Sequence, residues 1–130
     1  MARLSELIDF EHWCFACGRL NPHGLHLDFE VVRDRAQARF VARQEHSGYA
    51  GSVHGGIVTA LIDETMGWAI FQEGVWGVTG RITVSFRKPV PVGEELLVTG
   101  EITKRTHRGI ETRGAITNAA GQVLADGQAL

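Results

Sequence analysis

The amino-acid sequence predicts an α+β domain in which a curved antiparallel sheet of about five or six strands wraps around one long central helix. Three observations lead there. Two runs of alternating apolar and polar residues come first, and one segment that is apolar around nearly its whole helical circumference follows. About four more alternating runs close the chain, joined by short turns, which favours antiparallel pairing. A helix apolar on every side needs cover on every side. One curved sheet can wrap much of it, and a second copy of the chain can supply the rest.

Taken in order, residues 3–10 (RLSELIDF) place Leu4, Leu7 and Ile8 on one side of a short helix. A dense loop follows, from His12 to Gly18 and then Asn21-Pro22-His23-Gly24, where Gly, Pro and Asn interrupt any regular element. Leu25, Leu27, Phe29 and Val31 alternate with His26, Asp28 and Glu30, the pattern of a half-buried strand. Asp34 marks a turn, and Ala36, Ala38, Phe40 and Ala42 alternate again, giving a hairpin. Residues 44–54 (QEHSGYAGSVH) form a glycine-bearing loop. From Gly55 to about Phe71 the period becomes helical. Beyond Gly74, Ile82, Val84 and Phe86 oppose Arg81, Thr83, Ser85 and Arg87 as a strand. Pro89-Val90-Pro91-Val92-Gly93 breaks the ladder, because proline donates no hydrogen bond. Residues 95–104, 109–117 and 122–130 read as three more strands, with turns at Thr106–Gly109 and Asn118–Gly121.

With 130 residues the chain fits one domain, 1–130, without internal repeats. The net charge of −2 provides no broad positive field for nucleic acid or an anionic membrane. The N-terminus lacks a signal-like apolar core, and the apolar stretch from Ile57 to Phe71 is short and carries Asp63 and Glu64, so it does not span a bilayer. Two cysteines are too few for a disulfide scaffold, and the expected location is cytoplasmic.

The chemistry concentrates in His54-Gly55-Gly56-Ile57-Val58-Thr59-Ala60-Leu61-Ile62-Asp63-Glu64. The first turn of a helix leaves N–H groups without internal partners at its electropositive end. Glycines there let a ligand approach the amides closely, and a carbonyl oxygen turning into an oxyanion fits such a place. Close helix packing is the structural alternative. Asp63 falls two turns later among apolar residues. A carboxylate there is either ion-paired or lines a cavity, and desolvation would raise its pKa towards that of a general base or nucleophile. Glu64 points about 100° away, so at most one of the two faces a given site. Eight residues separate Gly55 from Asp63, a rise of about 12 Å. If both act on one carbonyl, they come from different subunits of a two-fold dimer, and a monomer is inactive.

The run HGGxxxxLxDE, set between a strand pair and a four-strand meander, resembles the hotdog-fold acyl-CoA thioesterases of the PaaI type over roughly residues 14–130. Cys14-Phe15-Ala16-Cys17-Gly18 with Asn21-Pro22-His23-Gly24-Leu25, and the turn Arg87-Lys88-Pro89 to Gly93-Glu94, are similar to that family as well. The resemblance implies hydrolysis of an acyl-CoA to acid and CoA without a cofactor, by a homodimer or a homotetramer built as a dimer of dimers. It implies that Gly55 donates its amide to the thioester carbonyl, that Asp63 attacks or activates water, and that His54 braces the loop or the carbonyl. Gly56 and Glu64 border the substrate in this reading. Many relatives have an asparagine at the position of Gly48, leaving that role vacant or taken by His46 or Ser47. Thr79 is the nearest candidate for a hydroxyl that relatives often place before the strand after the helix.

Arg87 and Lys88, and Lys104, Arg105 and Arg108, lie near strand ends, where they either meet the CoA phosphates or form solvated turns. The C-x-x-C pair, Cys14 and Cys17, supplies only two ligands, so packed, reduced cysteines without metal are expected. Trp13 and Phe15 either cover an acyl tunnel or belong to the core, and Trp68, Phe71 and Trp76 either border the acyl pocket or belong to the core. Two other functions fit the same pattern. One is a non-catalytic acyl-CoA-binding module, favoured by Gly48. The other is a dehydratase, which places its histidine and acid differently from His54.

Overall fold

The computed structural model describes residues 2–3, 11–75 and 77–130. One antiparallel sheet runs in the order β1-β2-β3-β5-β6-β7-β4, formed by β1 (Ala2–Arg3), β2 (Glu30–Val32), β3 (Arg35–Val41), β4 (Ile82–Phe86), β5 (Glu95–Thr106), β6 (Gly109–Thr117) and β7 (Val123–Ala129). The helix α1 (Gly55–Phe71) follows β3. It packs against β3, β4, β5, β6 and β7, the hotdog arrangement. Five of the six expected strands are present, the one expected over 25–31 pairs only from Glu30, and the two-residue β1 extends the edge by pairing with Glu30 and Val31. Residues 4–10 of the expected short helix lie outside the described residues; Arg3 belongs to β1.

Alternation at 25–31 reports burial there and not a ladder. Leu25, Leu27 and Phe29 are buried, but pairing begins only at Glu30. His26 has φ 53, a left-handed conformation that a continuous strand cannot contain. The extended segment instead hangs on the preceding loop: the Leu25 and Leu27 amides donate to the Phe15 and Ala16 carbonyls at 2.7 and 2.9 Å. Arg33 and Asp34 both have positive φ, the two-residue turn whose twist suits the β2–β3 hairpin.

The seat of the helix is a row of small residues. Ala36, Gly100, Gly114, Gly127 and Val84 are successive partners across β3, β5, β6, β7 and β4. A Cβ on Gly100 would lie 2.6 Å from the Thr65 carbonyl oxygen, and one on Gly114 would lie 3.0 Å from Met66 Cγ. Backbone therefore meets backbone where α1 crosses the sheet. Phe29, Leu61, Ile62, Met66, Leu96 and Ile116 close the core around that crossing. Each such side chain contributes roughly 1.5–3 kcal/mol on burial.

The expected all-round cover is incomplete within one chain. Val58, Leu61, Ile62, Thr65, Met66, Trp68 and Ala69 are buried, but Gly56, Thr59, Ala60, Asp63, Gly67 and Ile70 are not. Those six fall within about 100° of one another on the helix, a single stripe facing away from the sheet.

Candidate active site

The first turn of α1 disposes of its amides unequally. His54 is the N-cap, and its Nδ1 accepts from the Gly56 amide at 2.9 Å. The His54 carbonyl accepts from Ile57 and Val58 at 2.9 and 3.0 Å. Gly55 is then the residue whose amide has no acceptor among the described residues. It is exposed at the helix start, with the Phe86 ring 3.5 Å from where a Cβ would sit. Of the two glycines that the sequence offered, the second is occupied by the cap and the first presents the donor. His54 is accordingly a cap, and its lone pair on Nδ1 is spent within the loop.

Asp63 lies half-buried on the uncovered stripe, not sunk in the chain's own core. Its Oδ1 accepts from Thr79 Oγ1 at 2.6 Å. Thr79 belongs to the connection between α1 and β4, and the contact fixes the carboxylate while its other oxygen stays unengaged by any described side chain. Beside this pair, Met66, Gly67, Ile70, Val78, Ile110 and Leu130 help to line a mainly apolar cavity of about 700 Å³, with Thr79 on its wall and Arg81 and Arg108 at its polar margin. The groove is thus made by the helix's second half, the α1–β4 connection and the ends of β6 and β7. Sequence periodicity did not identify Gly67, Val78 or Ile110 as its lining.

Glu64 is directed elsewhere. Its Oε1 accepts from Trp68 Nε1 at 3.1 Å and from Cys14 Sγ at 3.7 Å, so it faces the N-terminal loop and is not brought together with Asp63. Trp68 packs on Phe29, with ring centroids 5.5 Å apart, and meets Phe71 edge-on at 4.8 Å. Neither Trp68 nor Phe71 lines the groove beside Thr79, so both take the core reading; Trp76 lies outside the described residues. Trp13 and Phe15 are exposed. Burial, with Glu64 alongside, pushes the Cys17 thiol far above its usual range.

The position of Gly48 leaves little room for a side chain. A Cβ there would stand 3.1 Å from the His54 Cα. Of the two substitutes the sequence suggested, His46 is buried at 3% exposure. Its Nδ1 accepts from the Arg43 amide at 2.9 Å, and its Nε2 has no partner among the described residues. Burial, reinforced by the Arg43 guanidinium, lowers its pKa. The His46 carbonyl accepts from the His54 amide at 2.8 Å, tying it to the loop that presents Gly55.

The candidate cations divide in the same way. Arg87 forms a two-point ion pair with Asp126, at 2.7 and 3.2 Å, and Arg105 pairs with Glu73. Lys88, Lys104 and Arg108 are exposed without an ion pair among the described residues. Arg87 is therefore less available to a phosphate than its neighbour Lys88. No helix among the described residues is long and apolar enough to cross a membrane.

The profile of the thioesterase superfamily matches residues 50–125, which span β4–β6, α1 and part of β7. Human acyl-coenzyme A thioesterase 13 is 28% identical over 88 residues, 65% of this chain and 63% of that protein, so the chain spans less than two thirds of that relative's length. A thioesterase superfamily protein of known structure superposes with a TM-score of 0.85 at 26% identity, over 89% of this chain and 61% of its own. A hypothetical thioesterase protein of Streptococcus pneumoniae, solved with coenzyme A, superposes at 0.74 and 22% identity, over 79% of this chain and 84% of its own.

Proposed function

The chain belongs to the thioesterase superfamily, and we propose on that premise that it is an acyl-CoA thioesterase, releasing free acid and CoA. The observation that carries the reading is the Asp63–Thr79 pair on the uncovered stripe of α1, at 2.6 Å, beside an apolar groove. In this reading the Gly55 amide holds the thioester carbonyl and stabilises the oxyanion as the bond to sulfur weakens. Asp63 attacks that carbon or takes a proton from water, and Thr79 aims the carboxylate. His54 shapes the turn that exposes Gly55, with Gly56 held by that cap.

Gly55 and Asp63 of one helix stand about 12 Å apart along its axis. A single chain cannot bring both to one carbonyl, so the site takes Gly55 from one protomer and Asp63 from its partner. A two-fold dimer joined along the uncovered stripe makes two such sites. The small residues there, Gly56, Ala60 and Gly67, allow two helices to approach closely. Lys88 and Arg108 are the exposed cations on which a CoA phosphate would draw, and the groove beside Thr79 would take the acyl group. A cytoplasmic setting accords with two unpaired cysteines.

The test is thiol release from a panel of short, long and aryl acyl-CoAs, run with light scattering for mass. Turnover by a dimer or tetramer supports the reading. Tight acyl-CoA binding without release of thiol would replace it with the binding-module reading, and hydration of an enoyl-CoA would replace it with the dehydratase.

A further inference from the structure

We propose that Cys14, Cys17 and Glu64 form a binding site for a thiophilic divalent cation, zinc being the natural probe. The cluster joins two parts of the chain, the C-x-x-C loop and the middle of α1. One ligand atom from each residue lies within 4.8 Å of the others, and Cys14 Sγ stands 3.7 Å from Glu64 Oε1. In a tetrahedral zinc site, Zn–S bonds of about 2.3 Å and Zn–O bonds of about 2.0–2.2 Å put neighbouring ligand atoms roughly 3.5–3.8 Å apart. The three groups thus approach one coordination sphere and need only small side-chain movements to complete three corners of it. A water or a further oxygen donor takes the fourth.

The loop is built to hold this shape. The Gly18 amide donates to the Cys14 carbonyl at 2.8 Å, and Leu20 donates to the His12 carbonyl at 3.1 Å. A Cβ on Gly18 would lie 2.4 Å from both the Cys14 nitrogen and the His12 oxygen, so only glycine closes the turn. The buried Leu25 and Leu27 then fasten the loop through the Phe15 and Ala16 carbonyls. Both sulfurs are thereby delivered to one side of α1.

Glu64 needs an explanation that its neighbours alone do not give. It is a half-buried carboxylate whose partners are a thiol and an indole N–H, and no described cation lies within ion-pairing distance. A divalent cation would give that carboxylate a direct ligand bond, and with both thiols deprotonated the cluster keeps the single negative charge that it carries without metal. Trp68 Nε1 would then orient the ligand from behind, as hydrogen bonds from outer residues commonly do at metal centres. Binding releases the two thiol protons to solvent and forms two metal–sulfur bonds and one metal–oxygen bond, with no change of oxidation state. The sequence led to the expectation of a metal-free cysteine pair because it supplied two ligands; the third comes from 47 positions further along, after Cys17.

Cobalt(II) titration of the reduced, chelator-treated, tag-free chain tests the site without any assay of turnover. One equivalent per chain should give the intense absorption of tetrahedral cobalt thiolate, and zinc should displace it. Cys17→Ser should abolish the thiolate band. Glu64→Gln, which keeps the volume and the Trp68 contact, should weaken cobalt binding at least tenfold while leaving the metal-free unfolding midpoint near that of the parent. Trp68→Phe should weaken it by roughly ten- to a hundredfold. Should Cys17→Ser fail to fold, the half-buried Cys14→Ser serves in its place. The proposal is overturned if the parent chain gives no thiolate band, or if the band and affinity survive either Cys17→Ser or Glu64→Gln. A pair that is isolated as a disulfide and binds no cobalt after reduction also overturns it.

Discussion

Asp63 and Glu64 are neighbours in sequence, yet they serve opposite flanks of one helix. Asp63 stands on the stripe that the chain leaves uncovered, and its described partner is Thr79 from the connection just after the helix. Glu64 turns about 100° away to meet Cys14 in a loop 50 positions earlier, with Trp68 one helical turn further along α1 beside it. One flank is left uncovered by a single chain, and the proposed chemistry falls there. The other is closed within the chain and fastens the N-terminal loop to the helix. Adjacent acids are thus set on different flanks by helical geometry alone, and exchanging one for the other is not conservative.

The largest expected effect separates the flanks directly. Asp63→Asn should lower kcat by about 10³-fold or more, since it removes the nucleophile or base. Its unfolding midpoint should stay close to that of the parent, because the side chain is half-buried and has one hydroxyl partner. Glu64→Gln should change kcat less than tenfold. A larger loss at Glu64 than at Asp63, measured by thiol release on the same acyl-CoA, would reverse the assignment of the flanks.

Next in size is Thr79→Ala. A hydrogen bond to an ionised carboxylate contributes about 1.5–3 kcal/mol, so its loss should lower kcat by roughly 10- to 100-fold. Thr79→Ser should recover most of that, since the hydroxyl returns. An unchanged kcat in the alanine variant would reduce the 2.6 Å contact to a surface hydrogen bond.

The sequence disclosed these two flanks unequally. The bounds of α1 were legible because the period changes sharply at Gly55 and apolar residues surround the axis. The spacing from Gly55 to Asp63 was legible because helix rise alone sets it, and it implies two subunits if both residues act on one carbonyl. Residues 25–31 look like a ladder strand because alternation records which side chains are buried, whereas strand pairing depends on φ, and His26 lies outside that range. The glycines at 100, 114 and 127 look like weak strand residues until register aligns them under the helix. The Cys14–Cys17–Glu64 cluster was hidden for a related reason. No local pattern links a loop to a helix turn so distant in sequence, and the pair of cysteines by itself suggested too few ligands.

A smaller effect tests whether the Gly55 end acts through shape or through the His54 ring. His54→Ala removes the side-chain acceptor of the Gly56 amide, which should cost about 1 kcal/mol of stability, read as a fall in the unfolding midpoint. His54→Asn restores an acceptor and should recover the midpoint. If kcat recovers with it, the histidine works by capping the turn that exposes Gly55. If stability returns and kcat does not, the ring itself meets the substrate.

The smallest effect is a pH dependence confined to the same end. Burial holds His46 below its ordinary pKa of 6.5, with Arg43 adding to the shift and Glu45 opposing it. The unfolded chain therefore takes up a proton as pH falls through about 6.5 while the folded ring remains neutral, and stability declines in that window until the folded ring also titrates. One proton limits the slope to about 1.4 kcal/mol per pH unit. His46→Asn keeps an acceptor for the Arg43 amide and has no titration there, so its unfolding midpoint should fall less between neutral pH and mild acid. Because the His46 carbonyl holds the His54 amide, this softening should loosen the loop before Gly55 and leave the Glu64 flank protected. Amide hydrogen exchange at mildly acid pH distinguishes the two: faster exchange at residues 46–56 with no change at residues 14–18 fits this mechanism, and equal loss at both would assign the pH sensitivity to the domain as a whole.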